Sequence, residues 1–292
     1  MKVNNVLFIG IGGGNDVFSA TLAMASLWDI GWRWNRADIA GIISPFHRHT
    51  VLSTGVPNFF AVNNDSKRYL IRPDNPREIG FIDSIVAKML EAEDIYSAKN
   101  VFALSSQNGT IGLAVTFQEL VRTYDYFVLV DLGGDCFYRG TEDKHVLSPM
   151  FDAIMIRAFV DSGVPGILFE AGPGTDGELE PEALEERLDK YAFGNYLLEW
   201  QIVEWWHALY NKWIEPVRSG RTIPITVKAY YTDDKFIELP YRARGHLGDK
   251  KYFKYFNQRI STDLCRSFYL IDPRIIKNPF AISCTDPKDW FK

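Results

Sequence analysis

The sequence predicts an α/β fold built on a doubly wound, mainly parallel sheet. Short apolar runs alternate with helix-like segments through the first two thirds of the chain. These runs do not alternate between apolar and polar residues, which is typical of strands buried on both faces. Strands of this kind alternating with helices form βαβ units, so the pattern indicates a Rossmann-like sheet with helices on both faces.

The predicted elements follow one another as five strand–helix pairs. The first apolar run, VLFI, stops at a glycine-rich bend, and the runs IAGII, VFAL, FVLV and GILF supply the next four strands by the same criterion. The predicted strands cover residues 6–9, 39–43, 101–104, 127–130 and 166–169, and the predicted helices cover residues 17–27, 82–91, 112–122, 149–161 and 181–191.

The character of the chain changes after about residue 190. We therefore expect a ligand-binding core over residues 1–190 and an aromatic α+β extension over residues 191–292, which packs on the core and is a candidate for oligomer contacts. The pattern of residues 196–213 predicts an aromatic helix with an apolar stripe along one side. We expect this stripe to pack in the core. Residues 241–260 hold six basic residues and one acidic residue, and we expect them to pair with the acidic stretch 170–190 rather than with nucleic acid.

Composition narrows the class of partner. The chain has 292 residues, of which 32 are Lys or Arg and 37 are Asp or Glu, and the net charge of −5 disfavours nucleic acid or an anionic membrane as a partner. No apolar stretch is long enough to span a membrane, so we expect a cytoplasmic protein. Three cysteines without a C-x-x-C spacing indicate reduced thiols rather than disulfides or a zinc site.

Glycines and acidic residues follow three of the five predicted strands. In an open parallel sheet the ligand lies outside the carboxyl ends of the strands, so these loops are expected to meet. Glycine lets backbone N–H groups approach an anion, and a following helix adds the positive end of its dipole, which suits a nucleotide or a phosphorylated small molecule. The candidate ligand-binding residues are Gly10, Gly12, Gly13, Gly14, Asn15, Asp16, Gly133, Gly134, Glu170, Gly172, Gly174 and Asp176.

The first glycine loop has an alternative interpretation as a tight turn in which Asp16 caps the following helix. It also matches the dinucleotide fingerprint G-x-G-x-x-G only in part, because Asn15 occupies the third glycine position. The second strand ends in Ser44 rather than in an acidic ribose ligand, so NAD binding of the Rossmann type is disfavoured. The chain has no P-loop motif.

Crowded carboxylates at one rim repel unless a cation or a shared proton relieves them. Mg²⁺ prefers oxygen ligands combined with substrate phosphates, and we expect Asp131 and Asp135 to hold it and to act in catalysis. The alternative is that Asp131 and Glu170 cap backbone N–H groups or bind a ribose hydroxyl directly.

Proton-transfer candidates are few. His145 lies in a polar loop after Asp135 and is the candidate general acid or base, the alternative being an exposed loop histidine. His47 and His49 are secondary candidates for the rim. The negative charge beside Cys136 is expected to raise the pKa of its thiol, which disfavours a nucleophilic cysteine.

Three motifs carry a resemblance: GIGGGNDVFSA at residues 10–20, DLGGDCFYRGTEDKHVLSPMFDA at residues 131–153 and GPGTDGEL at residues 172–179. Together they resemble an uncharacterised, mostly archaeal and bacterial family of unknown function, over roughly residues 1–189. The resemblance implies a Rossmann-like fold and a shared pocket, and it implies no substrate.

The combined expectation is a nucleotide or phosphorylated ligand at the carboxyl ends of the strands. Backbone donors, carboxylates and a possible Mg²⁺ favour phosphoryl, nucleotidyl or glycosyl transfer or hydrolysis. A non-catalytic module that senses a nucleotide is the alternative.

Overall fold

The computed structural model describes residues 1–12, 14–45, 47–70, 77–143, 150–217, 222–239 and 259–276. Its strands are β1 (Lys2–Gly10), β2 (Arg33–Ile43), β3 (His47–His49), β4 (Leu52–Ser53), β5 (Phe59–Val62), β6 (Arg68–Leu70), β7 (Arg77–Ile79), β8 (Ala98–Ser105), β9 (Tyr126–Leu132), β10 (Gly166–Ala171), β11 (Ala192–Leu197), β12 (Phe236–Glu238), β13 (Arg259–Ser261) and β14 (Ser267–Ile271). Its α-helices are α1 (Asp16–Asp29), α2 (Ile82–Ala92), α3 (Gly109–Leu120), α4 (Met150–Ser162), α5 (Pro181–Tyr191), α6 (Trp200–Leu209), α7 (Thr222–Tyr231) and α8 (Thr262–Cys265).

The central sheet has nine strands in the order β11-β14-β10-β9-β1-β2-β8-β5-β4. The five middle strands, β10, β9, β1, β2 and β8, are mutually parallel and contain the five strands predicted from the sequence. Antiparallel strands extend both sides, with β14 and β11 beyond β10 and with β5 and β4 beyond β8. The α/β fold with a mostly parallel sheet is therefore confirmed.

The strand order contains one reversal. The chain moves outward from β1 through β2 to β8 and then returns to place β9 on the other side of β1. Helices that follow β1 and β9 consequently pack on opposite faces, and in doubly wound sheets the ligand crevice lies at the carboxyl ends of two such strands. This reversal makes the β1–β9 edge the expected ligand position.

Each face of the sheet carries its own apolar core. Val6 and Phe8 pack with α1, α2, α6 and α7, whereas Leu7 and Ile9 pack with α3, α4 and α5. Successive side chains of a strand point to opposite faces, so a strand covered by helices on both faces must be apolar at every position. This accounts for the uninterrupted apolar runs in the sequence.

Residues 196–213 differ in part from the expected aromatic helix. Tyr196 and Leu197 end β11, where Tyr196 stacks on Phe268 of β14 with ring centroids 5.1 Å apart. The helix α6 then begins at Trp200 and continues into one π-helical turn at Tyr210–Ile214. Its apolar stripe is core, since Trp206 is fully buried and stacks on Phe18 of α1.

The segment after residue 190 contributes β11 and β14 to the central sheet. Most of the basic aromatic stretch 241–260 lies outside the described residues, but Arg259 at its described end is 3.9 Å from Glu182 of the acidic stretch. The expected pairing of the other basic residues stays a prediction. Within the described ranges, no helix is both long enough and apolar enough to cross a membrane.

Candidate functional site

The bend between β1 and α1 brings backbone to the crevice. A Cβ atom at Gly10 would collide with the backbone of Asp16 and Val17, so glycine allows the start of α1 to pack against the end of β1. Asn15 is the N-cap residue of α1, but its side chain makes no capping hydrogen bond. Its buried Oδ1 atom has no hydrogen-bond partner in the described part of the chain. Asp16 is the first helical residue and does not occupy the cap position.

Carboxylates from several elements gather at the β1–β9 edge, and we refer to them as the acidic cluster. They come from the first turns of α1 and α4, from the ends of β9 and β10, and from the turns that follow these two strands. The members are Asp16, Asp131, Asp135, Asp152, Glu170, Asp176 and Glu178.

Two overlapping groups within this region have the spacing of metal ligands. One ligand atom from each of Asp16, Asp131 and Asp152 lies within 4.8 Å of the other two. Asp131 belongs to a second group of the same dimensions with Cys136 and Glu170. The predicted ligand Asp131 is thus shared by both groups, whereas the predicted ligand Asp135 lies beside them.

Burial and mutual repulsion raise the pKa of three cluster members well above their usual values. Burial is the larger cause for Asp135, Asp152 and Glu170. The charges that add to it are all carboxylates, with Asp152 and then Asp131 acting on Asp135, and Asp131 acting most strongly on the other two. A site of this charge holds protons or cations rather than a bare anion.

Asp152 is the residue that the sequence interpretation missed. It is fully buried in the first turn of α4, and neither carboxylate oxygen has a hydrogen-bond partner among the described residues. A signal for it existed, because helices that follow parallel strands begin at the carboxyl edge of the sheet. An acidic residue in the first turn of such a helix, as with Asp16 in α1, is therefore a candidate for the same rim.

Glu170 and Cys136 lie on the β10 side of the cluster. The Glu170 side chain is fully buried, its Oε2 accepts a hydrogen bond from the Cys136 thiol at 3.4 Å, and its Oε1 has no hydrogen-bond partner in the described ranges. The Cys136 backbone N–H donates to Asp131 Oδ2 at 3.4 Å. Burial, followed by the charges of Asp131 and Glu170, raises the pKa of the Cys136 thiol, in the direction expected from the sequence.

The predicted glycines divide into two sets. Gly12 faces the cluster directly, since a Cβ atom there would collide with Asp16 and lie 2.9 Å from Asp152 Oδ1. Gly133 and Gly134 have φ values of 134° and 107° and lie against Asp176 and near Glu170 Oε1, respectively. Gly14 also has a positive φ, of 81°.

A Cβ atom added at Gly172 or Gly174 would have no carboxylate among its nearest neighbours. A Cβ atom at Gly172 would lie 2.8 Å from Thr226 Oγ1 of α7, and one at Gly174 would lie 3.4 Å from Leu184 Cδ1 of α5. Their backbone connects the loops instead, because the Gly174 N–H donates to the Gly133 carbonyl. These two glycines shape the turn that holds β9 and β10 loops together.

Two predicted residues, Gly13 and His145, lie outside the described residues, so their roles stay predictions. The secondary candidates His47 and His49 are in β3, which pairs with β6 in a separate three-stranded sheet. Burial, followed by the charges of Arg68 and His47, lowers the pKa of His49 to about 4, which makes it a neutral side chain near pH 7.

Comparison with known proteins gives one match. The model of a family described as "Protein of unknown function (DUF1152)" matches residues 7–215. Searches of curated proteins and of solved structures give no match. The match extends past residue 189, where the motif resemblance ends, and includes β11 and α6.

Proposed function

We propose a metal-dependent function for this chain, which belongs to the DUF1152 family of proteins of unknown function because the family model matches more than half of its residues. The chain binds a nucleotide or another phosphorylated small molecule at the carboxyl ends of β1, β9 and β10. A divalent cation, with Mg²⁺ as the first choice, joins the acidic cluster to the ligand. The bound ligand then undergoes phosphoryl, nucleotidyl or glycosyl transfer or hydrolysis.

One observation carries the proposal. Asp152 is fully buried, lies beside Asp16 and Asp131, and has two carboxylate oxygens without hydrogen-bond partners among the described residues. A buried carboxylate normally has several hydrogen bonds or an opposite charge, because losing water costs an ionised group several kcal/mol. A divalent cation supplies both the charge and the missing coordination.

The charge of the cluster also supports a ligand that arrives with the metal. Carboxylates alone repel phosphate, and the charged groups that act on Asp135, Asp152 and Glu170 are all acidic. Mg²⁺ is commonly held by one or two carboxylates together with substrate phosphates and water. The ion would therefore convert an acidic rim into a site for an anion.

Different residues of the chain would bind the metal ion and the phosphorylated ligand. Asp16, Asp131 and Asp152 would hold the ion, because their oxygens have the required spacing. Gly12, Gly133 and Gly134 let backbone approach the ligand, and the uncapped start of α1 offers N–H groups to a phosphate oxygen. When bound, the ion would polarise the phosphoryl oxygen and orient the leaving group.

Thermal unfolding of metal-stripped protein tests this proposal. We expect Mg²⁺ to raise Tm, and ATP, GTP or a sugar phosphate to raise it further only when Mg²⁺ is present. An ion at 100 times its Kd stabilises the folded state by about 2.7 kcal/mol. Asp152→Asn should abolish the Mg²⁺ response.

Asp161→Asn is the matched control, because Asp161 is also an acidic residue of α4 but pairs with Arg157 Nε at 2.8 Å. This variant should respond to Mg²⁺ like the unsubstituted protein. An equal response in Asp152→Asn, or no response in the unsubstituted protein, would refute the metal proposal. For any nucleotide that stabilises the protein, product formation that Asp131→Asn abolishes would establish catalysis, and stabilisation without product would favour the sensing module.

A further inference from the structure

We propose that the acidic cluster holds a second metal position formed by Asp131, Cys136 and Glu170, so that the site is binuclear and Asp131 bridges the two ions. This inference rests on the proposed function, which requires only the position formed by Asp16, Asp131 and Asp152. The second position differs from the first because it includes a sulfur ligand.

The geometry of the second position is compact and closed. Asp131, Cys136 and Glu170 are all buried, and one ligand atom of each lies within 4.8 Å of the others. The ligand atoms of a tetrahedral zinc ion lie about 3.3–3.8 Å from one another, because its bonds are about 2.0–2.3 Å long. Small side-chain adjustments therefore suffice to close the group around one ion.

A separate observation points to a ligand at this position. Glu170 Oε1 is buried without a hydrogen-bond partner among the described residues, although the other oxygen of the same carboxylate accepts from the Cys136 thiol. Gly134 lies next to this oxygen, since a Cβ atom there would be 3.8 Å from Glu170 Oε1. The unpartnered oxygen therefore belongs to a buried carboxylate that lies within 4.8 Å of ligand atoms of Cys136 and Asp131.

The donor sets select different ions. Three carboxylates at the first position suit Mg²⁺ or Mn²⁺, whereas a thiolate with two carboxylates suits a softer ion such as Zn²⁺ or Co²⁺. Binding breaks the S–H bond of Cys136, forms a metal–sulfur bond and releases the proton to the solvent. No oxidant or reductant takes part, because the ion keeps its charge.

A bridging Asp131 fits the reactions proposed for the site. Two ions about 3.5–4 Å apart can stabilise both the attacking and the leaving oxygen in an in-line displacement at phosphorus. Both ligand groups include Asp131, so its carboxylate would contact an ion in either position. This arrangement gives Asp131 a larger role than any other member of the cluster.

Cobalt binding to the full-length, metal-stripped protein tests the second position. Co²⁺ bound by a thiolate gives a near-ultraviolet charge-transfer absorption that Co²⁺ bound by oxygen ligands alone does not give. We expect two equivalents of Co²⁺ to bind and this absorption to develop with one of them. Cys136→Ser should abolish the absorption, and Glu170→Gln should reduce the number of tightly bound ions from two to one.

Two variants separate this inference from the proposed function. Cys265→Ser is the matched control, because Cys265 is another buried thiol, and its sulfur lies 3.5 Å from the Pro173 carbonyl oxygen rather than in the cluster. It should keep the absorption. Asp152→Asn should keep the absorption too but bind one ion fewer, because it alters only the first position.

Each result has a defined meaning. One bound ion without the thiolate absorption, lost in Asp152→Asn, would overturn the second position and leave the proposed function intact. No bound ion at all would refute both proposals. Retention of the absorption in Cys136→Ser would assign it to another cysteine and overturn the inference, and circular dichroism of each variant confirms that it is folded.

Discussion

Asp38 and Asp152 are both fully buried carboxylates, but their surroundings differ completely. Asp38, in β2, accepts two hydrogen bonds from Asn100 through Oδ1, at 3.0 and 2.9 Å. Its Oδ2 accepts from Arg36 at 2.7 Å and from Tyr124 at 2.9 Å. Neither oxygen of Asp152 has a hydrogen-bond partner among the described residues.

The comparison shows that burial of an acid does not by itself mark a site. A buried carboxylate with four donors is a structural group, because its desolvation is offset inside the protein. A buried carboxylate without donors, placed beside other carboxylates, costs free energy until something binds it. The partners of each carboxylate, rather than its exposure, distinguish the two regions.

The largest expected effect concerns stability without metal. Asp38→Asn should lower the free energy of unfolding by about 2–4 kcal/mol, because it removes the charge that four donors satisfy. Asp152→Asn should leave it unchanged within about 1 kcal/mol or raise it, because the amide removes a carboxylate whose ionisation is unfavourable. Urea unfolding in the presence of a chelator measures both values.

A larger loss of unfolding free energy in Asp152→Asn than in Asp38→Asn would contradict this comparison. That result would mean that Asp152 makes stabilising contacts in the metal-free protein. Measurement of both variants at the same pH, with circular dichroism as the probe, keeps the comparison direct.

The second prediction extends the comparison to Asp83, a buried residue in the first turn of α2. Its Oδ1 lacks a hydrogen-bond partner in the described ranges, and burial raises its pKa from 3.8 to about 7, against smaller opposing effects of a backbone hydrogen bond and then of Arg68. Because the folded-state pKa exceeds the unfolded value, the protonated carboxyl stabilises the protein fully below about pH 4. This contribution is lost as the pH rises through about 7.

Asp83→Asn should therefore raise the free energy of unfolding at pH 7.5 by about 3–4 kcal/mol and change it little at pH 4. Urea unfolding of both proteins between pH 4 and pH 8 measures the difference. The two proteins must be compared at each pH, because His49, whose pKa is lowered to about 4, makes both of them more stable as the pH rises. Subtracting one free energy of unfolding from the other removes this shared contribution. A difference independent of pH would contradict the prediction.

The smallest expected effect on stability is that of Gly12→Ala. The added Cβ would press against Asp16 and Asp152, so we expect a loss of about 1 kcal/mol together with loss of the Mg²⁺ response. Gly55→Ala is the control, because Gly55 has a φ of 87° but no atom within 4 Å of an added Cβ. It should cost roughly 1 kcal/mol through backbone strain and keep the Mg²⁺ response.

A Gly12→Ala variant that still responds to Mg²⁺ would show that the cluster tolerates displacement of Asp16 and Asp152. Thermal unfolding with and without Mg²⁺ distinguishes the outcomes.

Much of the site could be anticipated from local sequence. Gly12, Asp131 and Glu170 were expected at one rim, and the structure places each of them beside other members of the acidic cluster. Asp152 was not expected, because it lies inside a predicted helix rather than in a loop after a strand. Its position in the first turn of α4 brings it to the same edge.

The local sequence pattern also did not predict the outer strands of the central sheet. The strands β4 and β5 are short, and β14 comes from the last third of the chain yet pairs with β10. Pairing of this kind depends on a partner strand distant in sequence, which a local pattern does not encode. The central parallel strands were predictable because burial on both faces demands an apolar residue at every position.

The sequence by itself determined the five central strands, their alternation with helices, and the glycines and acidic residues at the strand ends. Only the tertiary structure decided which carboxylates have partners. Three of the four hydrogen bonds to Asp38 come from Asn100 and Tyr124, 62 and 86 positions away, and the carboxylates that crowd Asp152 come from α1 and β9. The reason is physical: a local pattern fixes which face of an element is buried, whereas the hydrogen bonds available to a buried charge depend on elements that meet it from elsewhere in the chain.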